Sequence, residues 1–187
     1  MTTGGPGQPG RGTFPLVILI GPPGAGKTTV GGALAARLDV RFTDTDASIE
    51  AAAGKPVGDI FIDDGEPAFR ELERAAVAAA IADQDGVVGL GGGAILDAGT
   101  RERLAGQPVV YLRTSFPELA KRVGMDRARP LLIGNPRGQL KALLDQRLPI
   151  YESLAWLTVD TDGREPADLA EQIAGAIGAP RPARPEP

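Results

Sequence analysis

Short apolar runs that predict buried strands alternate along the chain with segments of helical periodicity. The predicted strands lie at 16–20, near 42, and at 86–90, 108–112 and 155–159. Val30, Leu34 and Leu38 recur every fourth residue and predict a first helix over 29–38. A closing helix is predicted from about Pro166, with a Leu/Ile face that repeats every fourth residue. Buried strands that alternate with helices are typical of a parallel sheet, so we predict an α/β three-layer domain with about five parallel strands.

The pattern predicts further helices between the first helix and the closing helix. Shorter helices are predicted around 100–104, 117–123 and 139–147, the last ending before Pro149. A long helix over about 66–84 is predicted by a face of small residues suited to close packing. That face consists of Leu72, Ala75, Ala76, Ala79 and Ala80. Residues 1–13 and 179–187 are rich in Gly and Pro and are predicted to be disordered tails, which leaves one domain over 14–178.

Composition narrows the chemistry that the chain can perform. With 187 residues and 42% hydrophobic content the chain can bury one core. Its net charge of −4 gives no global positive field for nucleic acid. The apolar run at 14–20 is too short to span a membrane, so we expect no membrane partner and a cytoplasmic location. Cysteine and histidine are absent, so carboxylates, lysines and arginines must carry any catalysis.

The most specific motif follows the first predicted strand. The run Gly21-Pro22-Pro23-Gly24-Ala25-Gly26-Lys27-Thr28 matches the phosphate loop pattern G-x-x-x-x-G-K-[ST]. In such a loop, backbone N–H groups turn toward an anion, the lysine adds a positive charge and the threonine hydroxyl can bind magnesium. The loop predicts a bound nucleotide triphosphate but leaves the acceptor open, because kinases, GTP switches and mechanical ATPases share it.

Two carboxylates follow the second predicted strand. In an extended backbone Asp44 and Asp46 project to one side and Thr45 to the other, so the carboxylates would share a cleft. Asp44 is suited to hold magnesium through its water shell. Asp46 would accept a hydrogen bond from the hydroxyl that is phosphorylated, although it could also cap the helix that follows. Beside a phosphate loop we favour the site, and both interpretations can hold for Asp46.

Three consecutive glycines, Gly91, Gly92 and Gly93, follow the third predicted strand. Because no side chain covers this strand end, a ligand could contact the main chain and accept N–H hydrogen bonds from it. A flexible turn explains the run equally well.

Three arginines are ambiguous from the residues alone. Arg70 lies one helical turn from a glutamate on each side, and solvent-exposed ion pairs are the ordinary explanation of such an arginine. Arg129 lies in 124–134, a stretch without apolar periodicity that suggests either a mobile flap over the phosphates or a plain solvent loop. Arg147, at the predicted helix end, indicates little by itself.

Six motifs taken together resemble the shikimate kinase family in order and spacing, over nearly the whole chain between the tails. They are Gly21-x-x-Gly24-x-Gly26-Lys27-Thr28, Asp44-Thr45-Asp46, Ile60-Phe61 with Gly65-Glu66 and Phe69-Arg70, Gly91-Gly92-Gly93, Arg129-Pro130-Leu131-Leu132 and Arg147-x-Pro149-x-Tyr151. The resemblance implies a nucleoside-monophosphate-kinase-like P-loop fold with a mobile lid. It also implies transfer of the γ-phosphoryl group of ATP to the 3-hydroxyl of shikimate, a step of aromatic amino-acid biosynthesis.

By matched position the resemblance implies roles for individual residues. Catalysis is implied for Lys27, Asp46 and Arg129. Nucleotide binding is implied for Pro23, Gly24, Ala25, Gly26, Lys27, Thr28, Thr29, Arg122, Arg129 and Arg164, with Arg122 and Arg164 flanking the adenine. Substrate binding is implied for Asp46, Arg70, Gly91, Gly92, Gly93 and Arg147. One magnesium ion per subunit would be held by Thr28 and Asp44.

The acceptor side follows the same resemblance. Arg70 and Arg147 would grip the shikimate carboxylate, which suits a fork of planar donors. Glu73 would orient Arg70, and Phe61 and Phe69 would wall the pocket. We therefore expect the Arg70→Ala variant to lose shikimate affinity while its thermal stability stays almost unchanged.

Other phosphate loop proteins fit the sequence less well. Adenylate kinases share the spelling GPPGAGK, but Thr28-Thr29-Val30 stands here where that class has Gly-Thr after the lysine. Gluconate kinases are similar in size, but paired arginines with three glycines suit a ring carboxylate better. A GTP switch would need Asn-Lys-x-Asp, which the sequence lacks. The predicted partners are ATP and shikimate, and the predicted state is a monomer.

Overall fold

The computed structural model describes residues 17–83, 86–124 and 136–177. Within these residues a five-stranded, all-parallel sheet has the strand order β2-β3-β1-β4-β5. The strands are β1 (Val17–Ile20), β2 (Phe42–Asp44), β3 (Val87–Gly89), β4 (Val109–Arg113) and β5 (Leu157–Asp160). The helices are α1 (Lys27–Leu38), α2 (Thr45–Ala53), α3 (Val57–Asp63), α4 (Gly65–Ala82), α5 (Ala98–Leu104), α6 (Phe116–Arg122), α7 (Pro136–Leu154) and α8 (Pro166–Ile177). The predicted parallel α/β architecture is confirmed.

The central strand β1 shows why the domain has three layers. Its four residues are all buried, and their side chains alternate between the two faces of the sheet. Val17 and Leu19 pack in a core cluster with α1 and α8, whereas Ile18 and Ile20 pack in a second cluster with α4 and α7. Burial on both faces explains the continuous apolar run that predicted this strand.

The register of the strands brings three strand ends to one edge of the sheet. Gly89 of β3 is aligned with Leu19 of β1 on one side and with Asp44 of β2 on the other. Because the strands are parallel, the segments that follow them leave the sheet together. The phosphate loop, Asp46 and the glycine run therefore meet at this edge.

A small third cluster lies beside the same edge. Ile49 of α2, Ile60 of α3 and Phe69 of α4 are buried against one another. The cluster fixes the three helices as a unit, so that Asp46 on α2 and Arg70 on α4 are held on one side of the phosphate loop.

Two helices differ from their predictions. In α4 the buried residues are Phe69, Glu73, Val77 and Ala80, whereas Leu72 of the predicted alanine face is exposed. The predicted face is only partly right, since Ala80 is buried and Ala76 packs against the third cluster. Alanines bury little area, so the larger Phe69 and Val77 set the orientation of the helix. The helix predicted to end near Arg147 instead runs through Pro149 to Leu154.

Several predictions fall outside the described residues. These are the two disordered tails and Arg129 in the predicted flap, and they stay predictions.

Candidate active site

The phosphate loop connects β1 to the N-terminus of α1. Gly26 caps α1 in the left-handed region, at φ 94°, where a side chain would be strained. Lys27, the first residue of the helix, folds back over the loop, where its Nζ donates hydrogen bonds to the carbonyls of Gly21 (2.9 Å) and Pro22 (3.0 Å). Burial lowers the pKa of Lys27 to about 8, although Asp46 and Asp44 act in the opposite direction. The loop thus presents helix-end N–H groups and an ammonium to an anion.

A cavity of about 430 Å³ opens beside the loop. Its lining residues are Gly24, Ala25, Gly26, Lys27, Thr28, Thr29, Val30, Arg122, Thr161, Arg164, Pro166 and Leu169. Arg122 is held there by hydrogen bonds to Thr161, at 3.1 Å to both Oγ1 and the carbonyl oxygen, and Arg164 donates to Gln172 Oε1 at 2.5 Å. The size and the two guanidinium groups suit a nucleotide.

Asp44 ends β2 and caps α2. Its Oδ1 accepts from the N–H groups of Asp46 (3.0 Å) and Ala47 (3.4 Å), and its Oδ2 accepts from the Thr28 hydroxyl (2.8 Å). The predicted cap at Asp46 is therefore wrong, because Thr45 is already the first helical residue. The extended backbone that would place both carboxylates on one side of a strand is also wrong, since β2 stops at Asp44.

Asp46 lies in the first turn of α2, facing the glycine run. Its Oδ1 is buried and has no hydrogen-bond partner among the residues that the structure describes. Burial raises the pKa of Asp46, as does the neighbouring charge of Asp44, while Lys27 and Arg70 lower it. A carboxylate oxygen without a partner in a polar cleft is suited to accept a hydrogen bond from a ligand hydroxyl.

The three glycines allow other parts of the site to approach the main chain. A Cβ added at Gly92 would lie 2.6 Å from Cδ of Pro23 in the phosphate loop, and one at Gly93 would lie 2.6 Å from Nη1 of Arg70. At Gly91 an added Cβ would collide with Oδ1 of Asp46. The run forms a turn whose main chain is closely approached by these other elements.

Two residues that bind the glycine main chain were not predicted. Thr45 is fully buried, and its Oγ1 accepts a hydrogen bond from the Gly91 N–H at 2.9 Å, so this N–H is already satisfied. Tyr151 donates its hydroxyl to the Gly92 carbonyl at 2.7 Å. Thr45 belongs to the motif Asp44-Thr45-Asp46 and Tyr151 to the motif Arg147-x-Pro149-x-Tyr151, and this membership was the signal that the sequence offered. Neither motif indicated a hydrogen bond to the glycine main chain.

Arg70 forms the ion pairs that the sequence indicated and also lies against the glycine run. Its Nη1 donates to Oε2 of Glu73 at 2.6 Å and its Nη2 to Oε1 of Glu66 at 3.0 Å, so the ion pairs exist. Glu73, however, is only 3% exposed, and burial raises its pKa while Arg70 lowers it. The guanidinium also abuts Gly93, where it borders the same cleft as Asp46.

Arg147 reaches the glycine run from α7. Its Nη1 donates to the Gly92 carbonyl at 3.1 Å, and its Nε is buried without a hydrogen-bond partner in the described part of the chain. The structure therefore brings Asp46, Arg70 and Arg147 around the glycine run. Phe61 and Phe69 pack against each other nearby, with ring centroids 4.4 Å apart.

The fold and these residues define a P-loop kinase whose acceptor is a small molecule. A family model described as "Shikimate kinase" matches residues 23–177, and the chain belongs to this family.

Relatives and solved structures agree with this assignment. The chain is 63% identical to the shikimate kinase of Thermobifida fusca over 88% of this chain and 96% of the relative. It is 55% identical to that of Salinispora arenicola over 88% of this chain and 99% of the relative. A structure of shikimate kinase from Acinetobacter baumannii in complex with shikimate is similar at a TM-score of 0.80 and 38% identity, covering 89% of this chain and 94% of that one.

Two further findings bear on the alternatives. A gluconokinase from Sinorhizobium meliloti is similar at a TM-score of 0.52 and 21% identity, which shows a shared fold only. Across the described ranges, no helix is both long and apolar enough to cross a membrane.

Proposed function

We propose that this chain transfers the γ-phosphoryl group of ATP to the 3-hydroxyl of shikimate. The observation that carries the proposal is the convergence of Asp46, Arg70 and Arg147 on the glycine run, directly beside the phosphate loop. One carboxylate and two guanidinium groups suit a hydroxylated carboxylic acid. Membership of the shikimate kinase family supports the same acceptor.

On the donor side, the loop and α1 would bind the triphosphate. Lys27 would exchange its two carbonyl partners for β- and γ-phosphate oxygens, which are stronger acceptors for an ammonium. Arg122 and Arg164 line the cavity on the far side of the loop, where they would flank the adenine. Arg129 lies outside the described residues, and its closure onto the phosphates stays a prediction.

The residues present fit a magnesium ion beside the phosphates. The Thr28 hydroxyl and the Asp44 carboxylate lie 2.8 Å apart, at the start of α1. The described residues contain no group of three or more acidic side chains that could hold a metal. This is compatible with magnesium, which binds few carboxylates and takes its other ligands from phosphates and water. We propose that Thr28 and Asp44 hold one such ion, which would neutralise charge on the β- and γ-phosphates.

On the acceptor side, Asp46 would receive the hydrogen bond of the 3-hydroxyl. Its unpartnered Oδ1 is available for that bond, and the nearby Lys27 lowers the pKa of the carboxyl against the larger effect of burial. Phosphoryl transfer through a loose transition state asks little of a base, so positioning the hydroxyl is the minimum that Asp46 contributes. Arg70 and Arg147 would hold the carboxylate of the substrate.

An acceptor panel tests this proposal. ADP release from ATP and magnesium is measured with shikimate, gluconate or AMP, and the rate without acceptor is subtracted. We expect turnover with shikimate alone. Activity with AMP or gluconate but none with shikimate would refute the proposal. A cytoplasmic, monomeric state remains a prediction.

A further inference from the structure

Tyr151 is one of the largest fully buried side chains in the described core, and no step of the proposed reaction uses it. Its hydroxyl donates to the Gly92 carbonyl, 59 positions away in the chain, at 2.7 Å. Gly92 lies at the acceptor side of the site, against Pro23 of the phosphate loop. The hydroxyl of Tyr151 therefore contacts the main chain at the point where donor and acceptor sides meet.

Arg147 donates to the same carbonyl oxygen. It precedes Tyr151 by four positions on α7, so the two side chains project from one face of the helix. Nη1 of Arg147 lies 3.1 Å from the Gly92 oxygen. A carbonyl has two lone pairs and accommodates both donors. The spacing in Arg147-x-Pro149-x-Tyr151 thus places an arginine and a phenol on one face of α7, where both donate to the Gly92 carbonyl oxygen.

The ring of Tyr151 is also held from the sheet. Its ring stacks on Tyr111 of the interior strand β4, with ring centroids 5.1 Å apart and an interplanar angle of 12°. Burial raises the pKa of Tyr151 to about 12, so the phenol stays protonated and remains a donor at physiological pH. The Gly92 carbonyl is therefore held by a rigid group anchored in the sheet.

We propose that Tyr151 is a positioning residue for the acceptor carboxylate. It fixes the Gly92 carbonyl, and that carbonyl in turn fixes the guanidinium of Arg147. With Nη1 engaged there, the buried Nε of Arg147, which has no hydrogen-bond partner among the described residues, is left as a donor for the carboxylate. This inference rests on the proposed function, in which Arg147 binds the carboxylate of shikimate.

The Tyr151→Phe variant removes the hydroxyl and keeps the stacked ring. The matched control is Tyr111→Phe, which removes the hydroxyl of the other ring in the stack. We expect Tyr151→Phe to raise KM for shikimate about two- to tenfold, the effect of one lost hydrogen bond. KM for ATP should change less than twofold, and Tyr111→Phe should leave both constants unchanged. Equal rises in both KM values, or the same effect in both variants, would overturn the inference and indicate a structural role.

A double-mutant cycle tests whether Tyr151 acts through Arg147. In the Arg147→Ala background, kcat/KM for shikimate should no longer respond to Tyr151→Phe. A response as large as in the wild type would overturn the inference. The wild-type protein is assayed first. If it does not turn over shikimate, the proposed function itself fails. If the wild type turns over shikimate and the variants behave alike, only the role of Tyr151 fails.

Discussion

Replacing Arg70 by alanine should reduce both shikimate binding and stability. Arg70 neutralises Glu73, whose side chain is 4% exposed, whereas its second partner, Glu66, is 64% exposed. Loss of the exposed pair with Glu66 should cost little. Loss of the pair with Glu73 leaves a carboxylate buried without its cation. This expected loss of stability replaces the expectation from sequence, which treated both pairs as solvent-exposed.

The magnitude follows from the burial of the pair. Removing one partner of a fully buried ion pair costs about 3–5 kcal/mol. Arg70 retains 24% of its side-chain exposure, so water already screens part of the interaction. We therefore expect a loss of about 2 kcal/mol in the free energy of unfolding at pH 7. For a domain of this size that corresponds to a fall of about 4–8 °C in Tm.

The loss should depend on pH in a defined direction. Burial already raises the pKa of Glu73, and Arg70 opposes that rise. Without Arg70 the pKa of Glu73 rises further, so the folded variant holds a proton that the unfolded chain has released. Between the pKa of Glu73 in the unfolded chain and its higher pKa in the folded variant, the variant therefore loses stability, relative to wild type, as pH rises. The difference in Tm should be small near pH 4 and reach its full size near pH 8.

Thermal unfolding and shikimate titration together provide the assay. The matched control is Arg74→Ala, on the same helix, because Arg74 is 47% exposed and its ion pair with Asp97 is long, at 3.9 Å. The double variant Arg70→Ala/Glu73→Gln should recover most of the lost Tm while shikimate binding stays weak. Equal Tm values for Arg70→Ala and Arg74→Ala would refute the energetic argument. Undiminished shikimate affinity in Arg70→Ala would remove Arg70 from the acceptor site.

Three further predictions concern the reacting groups. Asp46→Asn should lower kcat by about 100-fold or more, since that is the smallest effect typical of losing a positioned proton acceptor, while the Kd for ADP stays within about twofold. A near-wild-type rate would exclude Asp46 from the site. In the wild type, kcat/KM should fall in acid with an apparent pKa above the ordinary value of an aspartate, because burial raises the pKa of Asp46 and its ionised form is the stronger acceptor. The affinity for ADP should weaken as pH rises above about 8, where the free enzyme loses the proton of Lys27. Lys27→Arg should lack this dependence because its guanidinium stays charged, and an ADP affinity that is flat to pH 10 in the wild type would contradict the argument.

The parts of the fold that the sequence predicted are those where a single local rule dominates. The run before the phosphate loop is apolar throughout because both faces of β1 are buried, and the loop itself follows a fixed pattern. Glu73 shows where local rules fail. It occupies a buried position of α4 between Phe69 and Val77, but a charged residue interrupts the apolar periodicity, so the predicted face omitted this row of residues.

Asp46 was favoured from its place after a strand beside the phosphate loop, whereas Arg70 and Arg147 were assigned to the acceptor side only through the resemblance. Pro149 predicted a helix end because proline inside a helix is unfavourable, yet α7 continues to Leu154, with Tyr151 buried in the core beyond the proline. The contacts of Thr45 and Tyr151 with the glycine main chain span 46 and 59 positions in sequence, and no periodicity reports such pairs. The role of the glycines depends on what packs on them, which only the tertiary structure reveals.

The most direct test of the central claim is identification of the phosphorylated product in a competition. The protein is incubated with ATP, magnesium and equal amounts of shikimate, gluconate and AMP, and the products are assigned by phosphorus–proton NMR correlation. The account predicts one new phosphoester, on the 3-hydroxyl of shikimate, formed in equal amount with ADP. Phosphate on gluconate, on AMP or on another hydroxyl of shikimate would contradict it.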